Sequence, residues 1–272
     1  MRISDFDYDL PPELIAQEPL AEREKSRLLV VHRDTGRIEH RMFLDVGEYL
    51  RADDLLVMND TRVSALRMTG TKTTGAKVEV LLLRDLGGNR WDALLKPGRR
   101  VRIGTELHFG ENGLRAVAVE RTEGGGRILD FGDAPGTAER IRAAGSVPLP
   151  PYIHAILADA SRYQTVYSNQ SGSAAAPTAG FHFTPGVIAE LEAKGVRRAF
   201  VTLHIGIATF RPVKTELIAE HEMHKEMISV PVETARAVNE AKGRIISVGT
   251  TTARTLESAA VGPREIAAVD GE

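Results

Sequence analysis

A chain of 272 residues, 42% apolar and 26% charged, is long enough to bury a sizeable core as one large domain or two modest ones, and it carries no charge block of the kind that keeps a tail disordered. The absence of cysteine excludes disulfides, thiolate metal sites and a cysteine nucleophile together, and fits a reducing compartment such as the cytoplasm. A formal net charge of −2 speaks against wholesale wrapping of nucleic acid, which takes many lysines and arginines, while leaving room for a local basic patch.

The first residues, Met1 to Leu10, have neither the basic start nor the apolar stretch of a secretory signal, and no apolar run approaches the roughly 18 residues of a membrane span, so no membrane partner is expected. Arg27 to Met58 reads as strand, turn, strand, short helix, strand: Leu28 to Val31 is apolar, Asp34-Thr35-Gly36 is turn chemistry, and Leu55 to Met58 suits a buried strand. That strand runs out into Asn59, Asp60, Thr61 and Arg62. Polar residues at the exit of a buried strand either form a simple turn or mark the place where α/β folds hold ligands.

From Val63 to about Phe131 the pattern changes to short β-type segments, Val78–Leu83, Trp91–Leu95, Val101–Ile103, Leu114–Val119 and Arg127–Phe131, separated by glycine or proline turns. Strands this short and evenly spaced predict an antiparallel barrel or sandwich. The expectation is an α/β fold, mixed in the α+β sense, formed by residues 1–62 and 150–272 and interrupted by an inserted β-barrel, 63–149, that ends at the Pro148 to Pro151 linker. After the linker, Thr184-Pro185 and Gly195 frame a capped helix, Ala199–Leu203 is a strand, a second helix follows from Pro231 to Lys242, and strand Ile245–Val248 turns through Gly249 into a helix reaching Ala260.

Chemistry concentrates at the strand exits of this second half. His182, His204, His221 and His224 lie in or beside loops, and histidine is the side chain best placed to move protons near neutral pH. Gly172 to Thr184 has almost no bulk before Phe181, so its backbone can approach a ligand closely, and it delivers His182 and Thr184 to a helix start that favours anionic groups. His204, Thr209 and Arg211 follow an apolar strand, with Phe210 able to stack on a base, and Gly249 to Arg254 offers hydroxyls and helix N–H groups. The last turn lacks the spacing of GxGxxG and of the P-loop, so no dinucleotide or nucleoside-triphosphate site is expected. His221-Glu222-Met223-His224-Lys225-Glu226 has histidines at i and i+3 that would share a helix face, which suits a metal or merely a solvated helical turn. Lys96, Arg99, Arg100 and Arg102 put four cations within seven residues on a barrel turn, a surface for RNA phosphate or only a solvated face.

Taken together, Asn59–Val63, Gly75–Leu83, Leu149–Ile153, Arg162–Tyr167, Gly172–Gly180, His182–Thr184, Leu203-His204, Thr209–Val213, Met223-His224, Val248–Thr251 and Arg254–Ser258 resemble the S-adenosylmethionine:tRNA ribosyltransferase-isomerases of queuosine biosynthesis, nearly from end to end. The resemblance implies transfer of the ribosyl part of S-adenosylmethionine onto 7-aminomethyl-7-deazaguanine at the wobble position of tRNAs with a GUN anticodon, releasing adenine and methionine and leaving epoxyqueuosine. S-adenosylmethionine is then a consumed substrate, and no resident cofactor or metal is expected. It further implies His182 or His204 as the proton-transferring base, Glu226 or Glu257 to balance the sulfonium, and Thr178, Thr209, Thr250 and Thr251 as polar anchors. Asp60, Arg62, Gly180, Phe181, Phe210, Arg211, His224 and Arg254 complete the pocket, and the barrel cations hold tRNA.

Three departures from the family pattern stand out: Ile207-Ala208 where a glycine usually precedes the Thr-Phe pair, a short turn before Gly243-Arg244, and no counterpart to family residues beyond Glu272. A chain ending there is expected to be weakly active or inactive. No heptad or long apolar stripe demands a partner, so a monomer is expected. Two other classes remain open, a non-catalytic RNA-binding module and a metal-dependent hydrolase using His221, His224 and Glu226.

Overall fold

The computed structural model describes residues 1–110, 113–122, 125–206, 209, 213 and 215–271. It falls into two compact units, Met1–Arg62 with Pro150–Gln170 and Ala176–Glu272, and Val63–Leu149 with Ser171–Ala175.

In the first unit, β1 (Arg27–Val31) and β2 (Ile38–Met42) form an antiparallel hairpin, followed by a 3-10 segment, Phe43–Tyr49, and the buried strand β3 (Leu55–Asn59). Every side chain of β3 is buried, as a continuous apolar run covered on both faces demands. Leu56 and Met58 enter a layer with Phe43, Phe183, Val187, Ile188 and Leu191, while Leu55 and Val57 enter the opposite layer with Val201, Ala235 and Val238. Strict alternation of β3 side chains thus divides the core into two layers.

The chain continues through β4 (Thr61–Val63) into the second unit, a closed antiparallel barrel. Its strands are β5 (Leu66–Lys72), β6 (Lys77–Asp85), β7 (Arg90–Lys96), β8 (Glu106–Phe109), β9 (Leu114–Arg121) and β10 (Arg127–Asp130), in the order β10-β7-β6-β5-β8-β9. Val78, Val80 and Leu82 point inward with Leu107, Phe109, Ala116, Ala118 and Leu129. Gly70 allows Phe109 to close the interior, because a Cβ there would stand 3.0 Å from the ring. The short helix α1 (Thr137–Ala144) follows.

The segment Val101–Ile103 is not a strand, contrary to its alternating pattern. Val101 instead ends a 3-10 turn, Gly98–Arg100, with its side chain in the barrel core. The buried Arg127 guanidinium accounts for this: Nε donates to the Val101 carbonyl at 2.9 Å and Nη2 to that of Gly98 at 3.3 Å, occupying acceptors a neighbouring strand would use. The reading of residues 63–149 anticipated none of β5, β8 and α1.

β11 (Gln170–Ser173) pairs with β4. In the first unit, helix α2 (Pro185–Ala193) begins at Thr184, whose hydroxyl accepts from the Val187 amide at 3.3 Å, and Gly195 ends the turn at φ +91°. Next come β12 (Arg197–Leu203), β13 (Ile228–Val230), α3 (Val232–Asn239), β14 (Ile245–Ser247), α4 (Gly249–Ser258), β15 (Ala260–Gly262), β16 (Glu265–Ile266) and β17 (Val269–Gly271). The main sheet runs β14-β3-β12-β13-β17, with its first three strands parallel. Among the described residues no helix is long and apolar enough to cross a membrane.

One carboxylate aligns the entering ends of the parallel strands. Asp54, fully buried, accepts from the Arg51 amide (2.7 Å) and from the Arg244 amide (3.1 Å) and Nε (3.0 Å), while its own carbonyl receives the Arg197 amide at 3.0 Å. The starts of β3, β12 and β14 are therefore tied through one residue. Gly243 must be glycine for this turn, since a Cβ would lie 2.3 Å from the Asp53 carbonyl oxygen. The Arg244 guanidinium holds the Asp54 carboxyl down at about 2, against an ordinary 3.8. The associated stability is present above 3.8 and lost as pH falls through about 2. Asp54→Asn is expected to lower the unfolding free energy at neutral pH by about 2 kcal/mol. In urea titrations it flattens the acid decline between these two values; an unchanged decline would count against the clamp.

Candidate active site

Backbone pairing between β3 and β12 stops at Asn59, and the side chain of that residue continues it. Asn59 Nδ2 donates to the Leu203 carbonyl and Oδ1 accepts from the Leu203 amide, each at 3.1 Å, while Oδ1 also accepts from the Thr61 amide at 3.1 Å. All three bonds are buried, and together they fix which way the amide faces. The chain beyond Asn59 is set so that Asp60 accepts from the Thr202 hydroxyl at 2.7 Å and Thr61 Oγ1 meets His204 Nδ1 at 2.7 Å.

Thr61 has the Gln170 carbonyl, 3.5 Å away, as acceptor for its own hydroxyl proton. In the tautomer with the proton on Nδ1, His204 donates to Thr61 and Nε2 is the acceptor nitrogen of the ring. Burial pushes the His204 pKa below 6.5, against the pull of nearby Asp60, so the neutral imidazole is favoured. Burial likewise raises Asp60 above the usual aspartate value, offset in part by the Thr202 hydroxyl and by His204. Among the described residues no lysine or arginine pairs with Asp60.

A second cluster lies just past His204. Glu226, with its side chain 5% exposed, accepts from the Gly206 amide at 2.9 Å and from Arg254 Nη1 at 2.6 Å. His224 Nε2 is 3.1 Å from the same carboxylate, and Arg254 Nη2 donates to the His224 carbonyl at 2.5 Å. The cluster fastens α4 to the segments that follow β12 and precede β13. Arg254 thus pairs with Glu226, whereas Asp60 has no cationic partner among the described residues.

The family model described as Queuosine biosynthesis protein matches residues 3–272. The chain belongs to this family. A relative from Staphylococcus haemolyticus, named S-adenosylmethionine:tRNA ribosyltransferase-isomerase, is 50% identical over 275 residues, covering 100% of this chain and 81% of its own length. One of the same name from Desulforamulus reducens is 48% identical over 262 residues, covering 95% of this chain and 77% of its own. A solved structure titled S-adenosylmethionine tRNA ribosyltransferase, from Thermotoga maritima, is 39% identical with a TM-score of 0.47, covering 98% of this chain and 77% of that one.

Of the residues singled out in this queuosine biosynthesis protein, Asp60 and His204 meet in one cluster and His224, Glu226 and Arg254 in the other. Thr178, Gly180, Phe181 and His182 share a 3-10 turn, Thr178–His182, which packs on the first turn of α4: a Cβ on Gly249 would stand 3.1 Å from that of Ala179. In that helical turn Thr250 is exposed, and the Thr251 hydroxyl is buried with no partner among the described residues. His182 Nδ1 lies 3.3 Å from the Arg23 carbonyl and its ring rests on Phe43. Phe181 is taken up by Tyr163 at its edge and the Arg23 guanidinium over its face. Glu257 sits in the last turn of α4, about 12 Å along the axis from the start of the helix at 1.5 Å per residue. Arg62 and Thr209 are exposed. Phe210 and Arg211, like Ile207 and Ala208, lie outside the described residues.

The helical reading of His221 to Glu226 is overturned. That stretch has no regular secondary structure, so the i, i+3 spacing defines no common face, and among the described residues no three His, Asp or Glu side chains converge to hold a metal. Asn59, Thr61, Thr202 and Gly206 are the members of the site that sequence reasoning missed. Asn59 and Thr61 stood within a quoted motif, but nothing local marks Thr202 or Gly206.

Asn59→Ala leaves two buried N–H groups and a carbonyl without their partner. The expected loss is about 3 kcal/mol in equilibrium urea unfolding. A loss below about 1 kcal/mol would show that the strand end closes without this amide.

Proposed function

We propose that this chain transfers and isomerises the ribosyl moiety of S-adenosylmethionine onto 7-aminomethyl-7-deazaguanine at the wobble position of tRNA, forming epoxyqueuosine and releasing adenine and methionine. Family membership and the shared name of its relatives support the reaction class. The observation that carries the reading to particular residues is the placement of His204 and Asp60 at the ends of adjacent parallel strands, each oriented by a neighbouring hydroxyl. A neutral imidazole with a free Nε2 suits removal of a proton acidified by the sulfonium, and a carboxylate without a cationic partner suits the positive charge of that substrate. Glu226 has its charge taken by Arg254 and serves to hold Gly206. Thr178, Thr250 and the first-turn amides of α4 supply hydrogen bonds to the leaving adenine. S-adenosylmethionine is consumed, so the reaction calls for no resident cofactor.

The tRNA is one with a GUN anticodon, and the enzyme acts as a monomer. Lys96, Arg99, Arg100 and Arg102, all exposed at the β7 end of the barrel, neutralise its phosphates.

The test is adenine release from S-adenosylmethionine, measured chromatographically, in the presence of tRNA carrying the deazaguanine precursor. Release that requires that tRNA is expected; tRNA binding without release would leave only an RNA-binding module. His204→Ala should lower turnover about a hundredfold or more, and His182→Ala about tenfold or less. The acid limb of wild-type kcat/KM should have its midpoint below 6.5, in line with the lowered His204. If His182→Ala shows the larger loss, the base is His182.

Replacing Lys96, Arg99, Arg100 and Arg102 together with alanine should raise the KM for tRNA about tenfold or more and leave the KM for S-adenosylmethionine unchanged. Equal KM values for tRNA would remove the barrel turn from the RNA-binding surface.

A further inference from the structure

Tyr167 has no role in the preceding account, yet its hydroxyl occupies an unusual place. The ring packs on Phe200 with centroids 5.8 Å apart and joins the core layer of Leu56, Met58 and Val248. The hydroxyl is buried and has no hydrogen-bond partner among the described residues, and neither has the buried hydroxyl of Thr165. Both side chains converge on Gly180. A Cβ at that residue would stand 2.1 Å from Tyr167 Oη and 2.8 Å from Thr165 Cγ2, so only glycine permits the arrangement. Buried hydroxyls are almost always satisfied, and two orphans flanking one glycine in the turn that packs on the start of α4 call for a reason.

We infer that Tyr167 is a further substrate-binding residue of the strand-end site, its hydroxyl donating a hydrogen bond to a sugar oxygen of the ribosyl donor, with Gly180 kept bare to bring that hydroxyl into reach. The assignment rests on the ribosyl-transfer reading above. Burial and the neighbouring Asp60 carboxylate both raise the tyrosine pKa, so the phenol remains a donor throughout the working pH range. The same carboxylate disfavours an anionic acceptor such as a phosphate or a carboxylate beside it, which leaves a neutral oxygen of the ribose as the matching chemistry. Gly180 belongs to the Thr178–His182 turn that shields the hydroxyl, and contact with the sugar requires this turn to shift.

Tyr167→Phe removes the hydroxyl alone. Calorimetric binding of S-adenosylmethionine, calorimetric binding of free adenine, melting temperature and tRNA-dependent adenine release are compared between wild type and variant. The expected outcome is about tenfold weaker binding of S-adenosylmethionine with unchanged adenine affinity, since adenine has no ribose. The melting temperature should hold or rise, because an unpaired buried hydroxyl has been removed. Gly180→Ala should bring the same selective loss through its added methyl group, with a lower melting temperature. Wild-type activity with S-adenosylmethionine affinity in Tyr167→Phe within about twofold of wild type overturns the assignment alone. Equal losses for adenine and S-adenosylmethionine with a fall in melting temperature also overturn it, since they mark a structural role. A wild-type chain that neither binds S-adenosylmethionine nor releases adenine overturns the function and the assignment together.

Discussion

The placement of Asp60 and His204 depends on a single buried amide, that of Asn59. A strand that ends inside a protein leaves the next N–H and C=O of its neighbour without partners, and no water is at hand to take them. Asn59 answers both groups of Leu203 with one side chain and then fixes the following backbone through Thr61. No other residue type has a donor and an acceptor of this size in this geometry; aspartate offers only acceptors when ionised, and leucine offers neither. The two chains can therefore diverge at the strand end, where side chains from β3 and β12 face a common crevice.

The crevice keeps its charges in separate compartments. Arg254 and Glu226 are closed on each other, and the second carboxylate oxygen is occupied by the Gly206 amide, so this pair acts as a bracket between α4 and the loop after β12. Asp60 and His204, each one residue past the end of its strand, interact with hydroxyls instead of opposite charges. Hydroxyls orient without neutralising. Among the described residues, then, Asp60 is held by a hydroxyl and not by a cation, and His204 is oriented by a hydroxyl through Nδ1.

The architecture was largely legible in the chain, for reasons that can be named. β3 is a continuous apolar run because both faces are covered, α2 carries its own start and stop in Thr184, Pro185 and Gly195, and the barrel shows inward alternation in Val78, Val80 and Leu82. The misreadings share one cause, a local pattern overruled by a distant partner. Val101 to Ile103 has the alternation of a strand but the Val101 carbonyl is captured by Arg127, 26 residues later. His221 to Glu226 has helical spacing, but Glu226 is drawn to Gly206 and Arg254, which holds the stretch extended. The site was legible as a set of strand exits and not as a set of bonds, since Thr61 and His204 are 143 residues apart.

Arg127 bears on how the barrel meets a polyanion. It is 6% exposed, it donates to four backbone carbonyls, those of Gly98, Val101, Gly125 and Gly126, and no carboxylate pairs with it among the described residues. A cation in that position is committed to backbone carbonyls and cannot reach a phosphate. It also has no rotamer freedom left to surrender when a phosphate arrives, unlike Lys96 or Arg99. The barrel turn therefore has one positive charge whose position the fold fixes, set apart from the exposed side chains of Lys96, Arg99, Arg100 and Arg102.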